Sequence, residues 1–88
     1  MVVSYLGLLT KDNYESFRRI LKDAPATFEQ WSHLHMQKTT DLVGKRWEVI
    51  QVEIDPDDFK RHCDATHSPY NLHSLDNFAF EVAQREKD

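Results

Sequence analysis

A chain of 88 residues that is 40% hydrophobic and 11% aromatic has room for one small globular domain, and its two glycines exclude phosphate cradling by a glycine-rich loop. Fifteen acidic against 11 basic residues, a formal charge of −4, oppose nonspecific attraction to a phosphate backbone, so no nucleic acid partner is expected. One Cys excludes an intramolecular disulfide. No apolar run approaches the roughly 20 residues of a membrane span, and Met1 to Leu9 lacks the basic flank of a signal peptide, so the expectation is a cytoplasmic protein with no membrane partner.

Val2 to Leu6 is rich in β-forming residues and is a candidate short N-terminal strand. A first helix is predicted over Lys11 to Asp23, with Thr10 as cap and Leu9 spaced from Tyr14 as a hydrophobic staple; Asp12 and Glu15 offer a competing capping box. Tyr14, Phe17, Ile20, Leu21 and Ala24 share one face of it, and the residue before Pro25 is pushed out of the helical region. Thr27 with Gln30 forms a capping box for a second helix, predicted from Phe28 to about Leu42 and stopped by Gly44. Its apolar stripe is irregular: Phe28, Trp31, Leu34, Met36, Leu42 and Val43.

The most informative segment runs from Trp47 to Phe59. Five of the eight residues from Trp47 to Ile54 are β-branched or aromatic, which predicts a strand. Asp55 then suits the N-cap of a helix, Pro56 supplies a pre-set φ where its missing donor does no harm, and Asp57 and Asp58 lie at the positive end of the helix dipole. Ile54 and Phe59 form a second staple. This third helix is predicted over Pro56 to Ala65, with Phe59 and Cys63 facing inward. After a loop from Thr66 to His73, Ser74 opens a fourth whose Leu75, Phe78, Ala79, Val82 and Ala83 make an apolar face, and Arg85 to Asp88 is a solvated end. The sum is an α+β domain of about four helices on one main strand, with helices covering one face of a very small sheet.

That main strand needs a neighbour, because an unpaired edge leaves a row of backbone donors and acceptors open. Val2 to Leu6 is one candidate. The favoured alternative is the same strand of a second copy, antiparallel about a twofold axis, because a domain this small without a disulfide benefits from an extended core; the expected assembly is therefore a homodimer.

Five histidines call for a metal test. His33 and His35, two apart on a helix, point away from each other and cannot share an ion. Cys63 and His67, four apart, with His62 as a distant additional ligand, are the weak metal candidates, but they lack the paired spacing of a structural zinc site, and Cys63 belongs to the core-facing side. Glu53, Asp55, Asp57 and Asp58 lack the alternating ligands and central glycine of a calcium loop, and capping accounts for most of them. No Walker loop, dinucleotide glycine pattern, Gly-x-Ser-x-Gly elbow or His-Glu-x-x-His pair occurs. No cofactor and no catalytic residue is expected.

Trp31, His35, Tyr70 and Phe80 are the candidate binding residues. Phe80 lies away from Leu75 and Val82 on the fourth helix, where a second core contact is expected ahead of an exposed anchor. The leading function is a protein-interaction or regulatory module without catalytic activity, and the alternative is a small-molecule or metal-binding protein using Cys63, His62 and His67.

Overall fold

The computed structural model describes residues 2–87, with side chains to residue 85. Strand β1 (Val3–Leu8) is followed by helices α1 (Tyr14–Ile20) and α2 (Phe28–Gly44), strand β2 (Glu48–Glu53), and helices α3 (Pro56–Thr66) and α4 (Leu72–Lys87), an α+β arrangement. The terminal segment Arg85 to Asp88 is helical as far as Lys87, and Asp88 lies outside the described residues.

The two strands pair in parallel, with Val3 opposite Glu48, Tyr5 opposite Ile50, Gly7 opposite Val52 and Leu8 opposite Glu53. The N-terminal segment thus takes the pairing role within the chain, and the premise that the main strand has no convincing internal partner is corrected. Parallel pairing needs a long crossover, which α1 and α2 supply, and such sheets are covered on both faces. Opposed residues share a face. Tyr5, Gly7 and Val52 accordingly meet α4, where Tyr5 touches Phe80 and Gly7 abuts Leu75, whereas Gln51 on the other face meets His35 of α2. Helices therefore stand on both sides of the sheet, where one covered face was expected.

The core lies at the carboxyl ends of the strands. Leu9, Tyr14, Phe17, Val52, Ile54, Phe59, Cys63, Leu75 and Phe78 are all buried there in one cluster. Ile54 and Phe59, the residues before the α3 cap and at its fourth position, belong to it as the expected staple; Leu9 and Tyr14 are also buried there, but with Asn13 at the cap of α1 they do not stand in staple positions.

Local chemistry sets the helix ends. Thr27 accepts the Gln30 backbone N–H while the Gln30 side chain accepts that of Thr27, the reciprocal box expected from the sequence. Helix α1 is shorter than predicted. At its start Thr10 and Asn13 bond each other's backbone N–H groups at 2.9 and 3.3 Å and hold Lys11 to Asn13 in a turn; at its end Lys22 N–H donates to the Tyr70 carbonyl and Asp23 accepts from Leu72 N–H, drawing the chain out of helix after Ile20.

Gly44 is the last residue of α2, but the left-handed position belongs to Arg46, with φ 64°. Trp47 N–H donates to Leu42 O and Arg46 N–H to Val43 O, which closes the helix as a Schellman motif two residues later than a glycine stop implies. Asn71 opens α4 by accepting Ser74 N–H at 2.8 Å, so the helix begins at Leu72 and not at Ser74.

Asp55 caps α3 by accepting Asp58 N–H at 3.1 Å, with Pro56 in the first turn. Asp55→Ala is expected to lower stability by about 1 kcal/mol, read from urea denaturation. An unchanged midpoint would show that the cap contributes nothing.

Candidate functional site

Trp31 and His35, one turn apart on α2, come together: their rings stack at 4.6 Å with an interplanar angle of 21°. Phe28 stacks on the other side of Trp31 at 5.7 Å, so the side chains form a row along the helix. His35 Nε2 lies 3.1 Å from Gln51 Oε1 in β2, which ties that row to the sheet. A groove of about 290 Å³ opens beside it, floored by Leu8 and Trp31 and rimmed by Met36, Thr39 and Gln51. Its walls are apolar, with neutral side chains and one imidazole as polar groups, a lining suited to an apolar side chain.

The other two candidate binding residues stand elsewhere. Tyr70, on the loop before α4, meets the Phe59 ring edge-on at 6.3 Å and donates its hydroxyl to the Asp64 carboxylate. That hydrogen bond, followed by burial, pushes its pKa up to about 12, which marks a structural hydroxyl. Phe80 is 51% exposed and touches Tyr5 edge-to-face at 5.2 Å, so the expected second core contact is corrected: the ring stands half in solvent on the outside of α4.

The weak metal candidates diverge. Cys63 points into the core with its Sγ 3.9 Å from the Pro69 carbonyl; His62 stacks on Phe78 at 4.5 Å and places Nδ1 3.1 Å from Glu81; His67 takes the left-handed position that ends α3. His33 and His35 also part company, His33 bonding Gln37 and His35 bonding Gln51. Among the described residues no three His, Cys, Asp or Glu side chains gather as a metal site. Burial, reinforced by the neighbouring Asp64 charge, pushes the Cys63 thiol above its ordinary pKa. Native Cys63 is expected to react with a thiol reagent at neutral pH at least about 100-fold more slowly than the unfolded chain, because attack requires opening of the core. Equal rates would place the sulfur at the surface.

The feature that composition and spacing did not reveal is the state of the two sheet edges. Glu48 N–H donates across to Val2 O, so the backbone groups of Glu48, Ile50 and Val52 face β1 and those of Val49, Gln51 and Glu53 face away. The outer edge of β1 is guarded at its carboxyl end, at Gly7, the last of its outward residues Val3, Tyr5 and Gly7. Gly7 N–H, which points outward there, donates to Asp76 Oδ1 at 2.9 Å, and the same carboxylate pairs with Lys38 of α2. At β2 no such guard stands: among the described residues, nothing bonds the outward backbone groups of Val49, Gln51 and Glu53. Met36 and Val43, seven apart on one stripe of α2, are 65% and 58% exposed, and Trp47 at the start of the strand is 37% exposed. Gln51 is thus shared by the groove and the open edge. Its place at the middle of a predicted strand was the available signal, but which way its N–H points depended on knowing the partner.

Compared with protein-family models, with curated proteins and with solved structures, the chain finds no match. Among the described residues, no helix is long and apolar enough to cross a membrane.

Proposed function

We propose that this chain is a small cytoplasmic interaction module without catalytic activity, and that it acts by receiving an extended segment of a protein partner on the free edge of β2. The observation that carries this reading is the open edge of β2: among the described residues, the outward backbone groups of Val49, Gln51 and Glu53, alternate along the strand, have no partner, whereas at the β1 edge the Gly7 N–H is held by Asp76. A strand laid along such an edge gains main-chain hydrogen bonds, and an adjoining pocket selects among its alternate side chains. The groove beside Gln51 is suited to that second task. A homodimer is the form this reading takes when the incoming strand belongs to a second copy. The cytoplasmic setting is in keeping with a lone buried thiol.

Gln51→Pro tests the docking reading. Because the Gln51 N–H faces away from β1, proline there leaves the β1–β2 ladder intact and blocks only the outer edge. With Gln51→Ala as the control for the lost His35 contact, the proline variant is expected to lose at least about tenfold of the partner captured on an immobilised chain, and the alanine variant to retain most of it. Equal capture by both variants would sink the reading.

A further inference from the structure

We infer that the strand received at the β2 edge is β2 of a second copy, antiparallel about a twofold axis through Gln51, giving a continuous four-stranded sheet in the order β1-β2-β2-β1. The inference rests on the docking reading above and names its occupant. A two-stranded sheet is small by any standard, and self-pairing is the shortest route to the usual four strands.

The register follows from which residues face outward. Only residues with outward backbone groups form hydrogen-bonded antiparallel pairs, which here means Val49, Gln51 and Glu53. Centring on Gln51 sets Gln51 against itself and Val49 against Glu53 twice, so all three residues of each copy exchange both of their bonds. Centring on Glu53 instead would place two carboxylates directly opposite, a destabilising pair, and centring on Val49 would leave Glu53 unpaired. In the Gln51 register Ile50 lies opposite Val52 of the second copy on the α4 side of the sheet, which extends the apolar face across the axis. Glu48 and Glu53 each oppose an apolar residue, Ile54 and Val49, and no acid faces an acid.

Charge at the two ends of the paired strands points to the same occupant. Beyond Trp47 in one direction come Lys45 and Arg46; beyond Ile54 in the other come Asp55 and Asp57. The Gln51 register brings Lys45 and Arg46 of one copy to the level of Asp57 and Pro56 of the other, and does so twice. All of Lys45, Arg46 and Asp57 are exposed, and among the described residues none of them is in an ion pair. A basic strip thus meets an acidic one at each end, which an arbitrary strand would not match.

Twofold pairing explains why assembly stops at two, because both β2 edges are consumed at once. The outer strands of the four-stranded sheet are then the two β1 strands, and each has the last of its outward N–H groups, that of Gly7, held by Asp76. The association is closed, isologous and finite.

Light scattering on the full chain at about 50 μM provides the test, the concentration being one at which a Kd in the low micromolar range gives mostly dimer. A mass of twice the 10.4 kDa chain is expected. Lys45→Glu alone and Asp57→Lys alone should each shift the mass toward monomer, with a Kd raised at least about tenfold and the helical circular dichroism unchanged. An equimolar mixture of the two variants should restore the dimer, because every Lys45–Asp57 contact in the mixed species is again between opposite charges. A wild-type monomer at this concentration overturns the inference, and so does a dimer whose variants show no recovery on mixing. If the chain is monomeric while Gln51→Pro still abolishes partner capture, the second copy is excluded as occupant and strand docking stands. If capture is equally insensitive, both fail.

Discussion

Phe59→Ala is expected to destabilise the domain by about 3–5 kcal/mol, the largest effect of any single side-chain truncation here. The ring is fully buried, and three others converge on it: Phe17 of α1 at 6.0 Å, Tyr70 of the loop before α4 at 6.3 Å and Phe78 of α4 at 6.2 Å. Those neighbours come from separate elements. Removing the ring therefore leaves a cavity whose walls cannot collapse without moving a helix, the situation in which truncation costs most. Small domains hold only about 5–15 kcal/mol in total, and one of 88 residues lies toward the lower end, so most of the folding margin should be lost. Urea denaturation measures it, with Phe59→Leu as the control that keeps most of the volume and loses about 1.5 kcal/mol or less. A cost below about 1.5 kcal/mol for the alanine variant would mean that the aromatic cluster is not the mechanical centre of the fold.

Phe59 was legible in the sequence for the same reason that it matters. Ile54, Asp55, Pro56 and Phe59 state a strand end, a cap, a first turn and a staple through contacts only a few residues apart, and each is realised as read. The same holds for the box of Thr27 and Gln30 and for the apolar face of Leu75, Phe78 and Ala79. What escaped reading depended on partners distant in sequence. Lys22 and Asp23 leave the helix because Tyr70 and Leu72 offer them hydrogen bonds from across the fold, and no pattern within residues 11–23 encodes that competition. Phe80 was expected to make a second core contact because the domain is small; it lies away from the buried Leu75 and Ala79 side of α4, and its ring stands half in solvent with its edge against Tyr5.

The candidate site was legible only in part. Trp31 and His35 were singled out as residues and their spacing placed them on one side of α2, but the meeting of His35 with Gln51 needed the third dimension. The strand was recognised and its need for a neighbour was recognised. Its inner partner, Val2 to Leu6, was named as a candidate but not favoured, because a parallel pair separated by two helices leaves no turn signature between the strands. Once β1 is in place, the open-edge argument moves from the whole strand to one side of it, the side marked by Val49, Gln51 and Glu53.

Gly7→Val is expected to destabilise by about 2–3 kcal/mol, and to do so through Leu75. A Cβ built on Gly7 would lie 2.7 Å from Leu75 Cγ, 3.1 Å from its Cδ2 and 3.4 Å from its carbonyl oxygen. Glycine within a strand ordinarily costs about 0.5–1 kcal/mol relative to alanine, so replacing it would normally help. Here the close approach decides the sign, because Leu75 is itself 1% exposed and has nowhere to go, and because the Gly7 N–H must stay within 2.9 Å of Asp76 on the same helix. Even Gly7→Ala should therefore be net destabilising, by about 1 kcal/mol. The mechanism is separable from a general intolerance of β1 by a double-mutant cycle. Leu75→Ala alone is expected to cost about 2–5 kcal/mol by leaving a cavity. Combined with Gly7→Val, the valine fills part of that cavity and the clash disappears, so the double variant should be more stable than the sum of the single costs by about 1–3 kcal/mol. Additive costs in urea denaturation would show that glycine is needed at this position for something other than the packing of β1 against α4.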